Sequence, residues 1–213
     1  MADANYTHLT IVVDRSGSMS GLAADATGGI NAIIEEQLAE TGTFTFTLVD
    51  FDTEITEVVR LHNQKIDYVL RPRGGTALFD AIGVGYSKTV EDIEALDPDK
   101  RPETVIFMIV TDGHENSSRE HSTESIKKMI EDGRSKGWDF QFLGAEEAAL
   151  QAEQIGAQGT QFRRTSRSVR SSYRTMNEEM KTYRKQEEKP GFLLPSDIDD
   201  DFEDKYEADK DSM

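Results

Sequence analysis

The stretch TIVVDRSGSM, Thr10 to Met19, runs from a β-branched apolar segment straight into an aspartate and two serines at alternate positions. Leu9 to Val13 has the length and composition of a buried strand, and the polar residues after it end that strand. The same design recurs in TVIFMIVTDG, Thr104 to Gly113, the most apolar strand candidate in the chain, which again ends on an aspartate. Fully apolar strands of this kind are covered on both faces, which is the habit of parallel sheets.

Working outward, the periodicity alternates between strand and helix. Leu22 to Leu38 carries Ile30, Ile33, Ile34 and Leu38 at the spacing of one helical face. TFTFTLVDF, Thr43 to Phe51, alternates threonine with apolar residues and predicts a strand with one face more exposed. Ile55 to Leu61 follows closely enough for an antiparallel hairpin. A glycine loop at Gly74 and Gly75 opens a helix from about Ala77, and a further helix is predicted from Thr123 to Lys136. Then come a strand at Phe140 to Ala145, a short helix at Glu147 to Ile155 and an edge strand at Thr160 to Phe162. The pattern predicts a doubly wound, Rossmann-like α/β fold, mostly parallel with one antiparallel edge strand and helices on both faces. In such sheets sites form beyond the carboxyl ends of the strands, where strand order reverses. Asp14 and Asp112 meet there if their strands are central neighbours.

The chain has 213 residues and a net charge of −17, with no cysteine. That length suits one domain with a real core. The charge disfavours nucleic acid and anionic membranes and favours cations and basic partners. No apolar run reaches the length of a membrane helix, and the N-terminus has no secretory pattern. With no thiols to pair, the composition fits a cytoplasmic protein. Charge is unevenly spread: Arg163 to Lys185 is basic, and Ser196 to Met213 is strongly acidic. We divide the chain into an α/β domain over 1–165, a basic helix packing on or extending it over 166–186, and an acidic, disordered tail over 187–213. In the basic segment, Val169, Tyr173, Met176, Met180 and Tyr183 recur at helical spacing and form an apolar face. EEKPGFLLPSD, with its isolated Phe192, Leu193 and Leu194, has the Pro and Gly of a linker.

Three loops carry the chemistry: DRSGS at Asp14 to Ser18, GGTAL at Gly74 to Leu78 and TDG at Thr111 to Gly113. Asp14, Ser16, Ser18, Thr76 and Asp112 supply two carboxylates and three hydroxyls. This all-oxygen set suits Mg²⁺ or Mn²⁺, or Ca²⁺ in a looser site, and does not suit zinc. Only two of the five donors are charged, so a divalent ion there leaves room for waters or an outside carboxylate. An N-cap is the competing explanation for DRSGS alone, since Asp and Ser are favoured caps. VDFDTEI, Val49 to Ile55, resembles the nucleophile loop of haloacid-dehalogenase-like phosphatases, which would make Asp50 the nucleophile of a Mg²⁺-dependent phosphate-ester hydrolase. Its place after the second strand and before a hairpin argues against that. Asp50 and Asp52 also stand as groups near the metal. His114, Glu115 and Asn116 read as the site's rim, and His8, His62 and His121 as ordinary. The segment GGTALFDAIGVG lacks the lysine of a phosphate loop.

DRSGSM matches the D-x-S-x-S pattern of the von Willebrand factor type A domains, and Thr76 and Asp112 match that family's two remaining metal-site positions. From Thr7 to Phe162 the chain resembles the compact intracellular bacterial or phage members of that family. The resemblance implies a metal-ion-dependent adhesion site. In it Ser16, Ser18 and Thr76 bind Mg²⁺ through hydroxyls, and Asp14 and Asp112 bind directly or through water. A partner protein's Asp or Glu completes the coordination, without catalysis. A carboxylate of the chain's own acidic tail is a rival occupant. A scaffold with a vestigial metal site is the remaining alternative.

Overall fold

A computed structural model describes residues 2–186 together with Gly191, Phe192 and Leu194. Six strands form one sheet: β1 (Asp3–Asp14), β2 (Thr43–Phe51), β3 (Ile55–His62), β4 (Pro102–Thr111), β5 (Asp139–Gly144) and β6 (Gln158–Gln161). Their order is β3-β2-β1-β4-β5-β6, and only the β2–β3 pairing is antiparallel. Among the described residues five helices cover it: α1 (Ala23–Ala39), α2 (Leu78–Ala95), α3 (Thr123–Ser135), α4 (Glu146–Ile155) and α5 (Ser166–Arg184). The expected α/β architecture is therefore observed, with its antiparallel strand at the edge.

The period-2 alternation of the central strands divides the core into two layers. Leu9, Ile11 and Val13 of β1 and Ile106, Met108 and Val110 of β4 face α1 and α5. Val12 of β1 and Val105, Phe107 and Ile109 of β4 face α2 and α3. The chain leaves β1 toward one face and β4 toward the other. These adjacent strands, paired Val13 to Val110, thus form the switch point of the sheet. Asp14 and Asp112 project at its carboxyl end.

Three expectations are corrected. β2 is buried on both faces, not one. Its threonines are satisfied there: Thr45 Oγ1 bonds Tyr6 Oη at 2.9 Å and His8 Nδ1 at 2.8 Å, and Thr47 Oγ1 accepts from Leu61 N at 3.1 Å. His8, read as ordinary, is fully buried, and burial pushes its pKa down to about 3. The segment read as a linker contributes Phe192 and Leu194 to the core. Gln141 Nε2 donates to Phe192 O at 2.6 Å and Gln158 Nε2 to Leu194 O at 3.2 Å, so this backbone is held by two side chains. Apart from Gly191, Phe192 and Leu194, the tail expected over 187–213, and with it its rivalry for the metal, lies outside the described residues.

α5 packs along α1 through the apolar face read from its spacing. Val169, Tyr173, Met176, Met180 and Tyr183 are all buried. Gly29 of α1 permits the contact, because a Cβ there would lie 2.3 Å from Tyr173 Cγ. Thr165 caps α5 by accepting from Ser168 N at 3.2 Å.

Candidate metal centre

Asp14 ends β1, and a single 3₁₀ turn over Gly17–Gly21 follows it. Ser16 sits at the start of that turn, but its side chain makes no capping bond. The cap explanation of DRSGS therefore fails. Ser20 Oγ donates to Gly17 O at 2.6 Å and turns away from the site.

Instead the two serine hydroxyls lie 2.9 Å apart, and Ser18 Oγ donates to Asp112 Oδ1 at 2.7 Å. Asp14 Oδ1 accepts from Ser16 N at 2.6 Å, and its Oδ2 accepts from Thr111 Oγ1 at 2.6 Å. Thr76 reaches the same spot from the loop before α2. A Cβ built on Gly113 would lie 3.4 Å from Ser18 Oγ, 3.4 Å from Thr76 Oγ1 and 3.7 Å from Asp14 Oδ2. The five predicted residues thus converge. Asp14, Ser16, Thr76 and Asp112 are buried, and Ser18 is exposed at the mouth. Among the described residues no group of three or more His, Cys, Asp and Glu is arranged to hold a metal. The cradle at Gly113 is of another kind, with two carboxylates and three hydroxyls, and that donor set fits a hard divalent cation.

Burial raises the Asp14 pKa from 3.8 to about 6; the Thr111 and Ser16 bonds oppose the shift and the neighbouring Asp112 charge adds to it.

The loops are locked to one another by main-chain bonds. Gly17 N donates to Gly74 O at 3.2 Å, Arg73 N to Arg15 O at 2.7 Å and Ala77 N to Asp52 O at 2.8 Å. Gly74 has φ +66°, which favours glycine. Arg15 lies between two donors in sequence yet points away from them. It is paired with Asp50 at 3.0 Å and Asp52 at 3.0 Å, and Tyr68 Oη donates to Asp50 at 3.3 Å. The second carboxylate pair thus anchors the first loop.

Sequence reasoning assigned Glu115 and Asn116 to the rim. Their observed work is positional. Asn116 Oδ1 accepts from Thr76 N at 2.9 Å, and Glu115 Oε2 caps α2 by accepting from Phe79 N at 2.9 Å. His114 is exposed. Asp80 was missed: it accepts from Arg119 N at 2.7 Å, Glu120 N at 3.0 Å and His121 N at 2.8 Å, and so fixes the rest of that loop. A charged residue inside the otherwise apolar ALFDAI was its only signal. Thr111 was also missed as a partner of Asp14, and Arg164, within the segment read as basic, was not linked to this site.

No family model and no curated protein matches the sequence. Solved structures do match. The von Willebrand factor type A protein from Catenulispora acidiphila aligns over 82% of this chain and 42% of its own, at 15% identity and TM-score 0.61. The vWF domain of the type V pili tip protein Mfa5 from Porphyromonas gingivalis aligns over 85% of this chain and 97% of its own, at 9% identity and TM-score 0.64. The pilus adhesin SpaC from Lactobacillus rhamnosus GG aligns over 82% of this chain but only 30% of its own, at 11% identity and TM-score 0.59. The chain therefore has the fold of a von Willebrand factor type A domain. At these identities the likeness is one of fold. No helix among the described residues is long and apolar enough to cross a membrane.

Proposed function

We propose that this chain is a von Willebrand factor type A module of the intracellular bacterial or phage type, binding a protein partner through a divalent cation. In this reading Asp14, Ser16, Ser18, Thr76 and Asp112 hold Mg²⁺, with Mn²⁺ and Ca²⁺ as alternatives, and the partner contributes an Asp or Glu side chain. One observation carries it: oxygen donors from three loops, about a hundred residues apart in sequence, gather around Gly113 at the mouth of the switch point. A carboxylate that replaces water on such an ion gains a charge-assisted bond in a partly dry cleft.

The reading is non-catalytic. Asp50, the nucleophile of the hydrolase alternative, is held by Arg15 and Tyr68. A cytoplasmic location belongs to the same reading and rests on composition alone; fractionation of the native host tests it.

Calorimetry and thermal shift with Mg²⁺, Mn²⁺ and Ca²⁺ are the direct test. Wild type should bind and be stabilised, Asp14→Ala should do neither, and partner capture should fall in chelator. If Asp14→Ala captures the partner as well as wild type does, the metal site is vestigial and the chain is a scaffold.

A further inference from the structure

The loop between β6 and α5 brings a cation to the edge of the metal centre. Arg164 Nη2 donates to Asp112 O at 2.5 Å, and its Nε lies 4.0 Å from Asp112 Oδ2. The other oxygen of that carboxylate, Oδ1, is the one that accepts from Ser18. Arg164 therefore faces the side of Asp112 that the hydroxyl ring leaves open. Its backbone is fixed on both flanks. Phe162 is buried with its N–H on Gly144 O at 2.9 Å, and Thr165 is the cap of α5. The side chain is half exposed, at 49%, so solvent screens its charge without removing it.

Two buried carboxylates facing each other need a counter-charge. Among the described residues, Arg164 is the one cationic side chain within ion-pairing distance of Asp14 or Asp112. A divalent ion arriving on these carboxylates meets that guanidinium at short range, where like charges repel.

We propose that Arg164 is a resident counter-cation of the site: it supports Asp112 in the metal-free domain and opposes divalent-ion binding, which sets the metal concentration at which the module becomes competent. This rests on the metal-dependent reading above and adds its regulation. It also predicts that loading is salt-dependent, because the opposing charge is partly exposed.

The test uses the full chain and Mn²⁺ as probe, with affinity followed by electron paramagnetic resonance and stability by melting with and without metal. Arg164→Gln should lower the Mn²⁺ dissociation constant by roughly three- to tenfold at low ionic strength, and the gap from wild type should shrink as salt is added. Arg164→Lys, which keeps the charge, should stay near wild type. Arg164→Gln should also melt lower than wild type in chelator but not in saturating Mn²⁺. Unchanged or weaker Mn²⁺ binding by Arg164→Gln overturns the proposal. So does an equal loss of melting temperature with and without metal, which would make Arg164 a brace on the Asp112 carbonyl. A wild type that binds no Mn²⁺ overturns the metal-dependent reading itself, and this inference with it.

Discussion

Adding one methyl group at Gly113 tests the site without removing any of its donors. The Cβ of Gly113→Ala would lie 3.4 Å from Ser18 Oγ, 3.4 Å from Thr76 Oγ1 and 3.7 Å from Asp14 Oδ2. All three are ordinary van der Waals contacts, so no backbone shift is demanded. Gly113 is also absent from the glycines with positive φ, so alanine can adopt its conformation. A Gly→Ala change at a compatible position alters stability by about 0.4–1 kcal/mol through the unfolded chain. For a domain of this size that is a shift of roughly 2–4 °C per kcal/mol. The metal-free variant should therefore melt within a few degrees of wild type. Metal binding should suffer far more, because the methyl would lie against three of the proposed donor oxygens. Displacing groups around a metal costs about tenfold to a hundredfold in affinity, and Mn²⁺ titration of Gly113→Ala should show at least the lower figure. A variant that folds normally and binds Mn²⁺ as tightly as wild type would refute the placement of the cation in this cradle.

Three further outcomes follow from the same geometry. Asp14→Asn removes a buried carboxylate whose pKa is raised to about 6; above that pH the ionised form is a net cost, so the variant should stabilise the metal-free protein by roughly 1–3 kcal/mol while abolishing Mn²⁺ binding, both read by melting in chelator and in metal. Gly29→Ala would place a methyl 2.3 Å from the Tyr173 ring, so it should cost about 1–3 kcal/mol and increase hydrogen exchange along α5 relative to the central strands. His8 has a folded pKa of about 3, below its unfolded value of 6.5, so the unfolded chain binds more protons between those limits and stability is lost as pH falls through 6.5. The stability difference between wild type and His8→Gln should shift against wild type by up to about 1.4 kcal/mol per pH unit below 6.5. Taking the difference cancels the opposite slope that Asp14 contributes between 3.8 and about 6.

Where the sequence was explicit, one physical signal was enough. Thr43–Phe51 and the start of α3 at Thr123 carry clear strand and helix boundaries, the latter reinforced by a capping box from Ser122 and Ser125. The five candidate residues could be singled out because they fall in the loops after two apolar strands and a glycine pair. What stayed hidden depended on partners distant in sequence. Alternating threonines in β2 read as a wetter face, since a buried hydroxyl is costly without a partner. The partners are Tyr6, His8 and the N–H of Leu61, supplied by β1 and β3. Phe192 and Leu194 read as linker residues because Pro and Gly flank them. Their burial depends on Gln141 and Gln158, which nothing in the local pattern marks as main-chain ligands. Glu115 caps a helix that lies well before it in the chain, through its contact to Phe79 N.

The buried aspartates at this end of the sheet differ in how their charge is compensated, which bears on the proposed cation site. Asp52 has two arginines, Arg15 and Arg73, and Asp50 shares Arg15. Asp80 takes three main-chain N–H groups in a fixed loop, an arrangement that suits a carboxylate with no cation. Asp112 has a serine hydroxyl and a half-exposed arginine 4.0 Å from its carboxylate. Asp14 is fully buried and, among the described residues, is met by one N–H and the hydroxyls of Thr111 and Ser16, with no cationic side chain. Carboxylates of equal formal charge therefore sit in unequal states of compensation, and the deficit falls on the two that face each other across the switch point. Adding a further arginine there would satisfy the charge and close the mouth. Hydroxyls from Ser16, Ser18 and Thr76 leave the charge open and supply neutral donors beside it, which is the arrangement a small divalent ion with an exchangeable ligand requires.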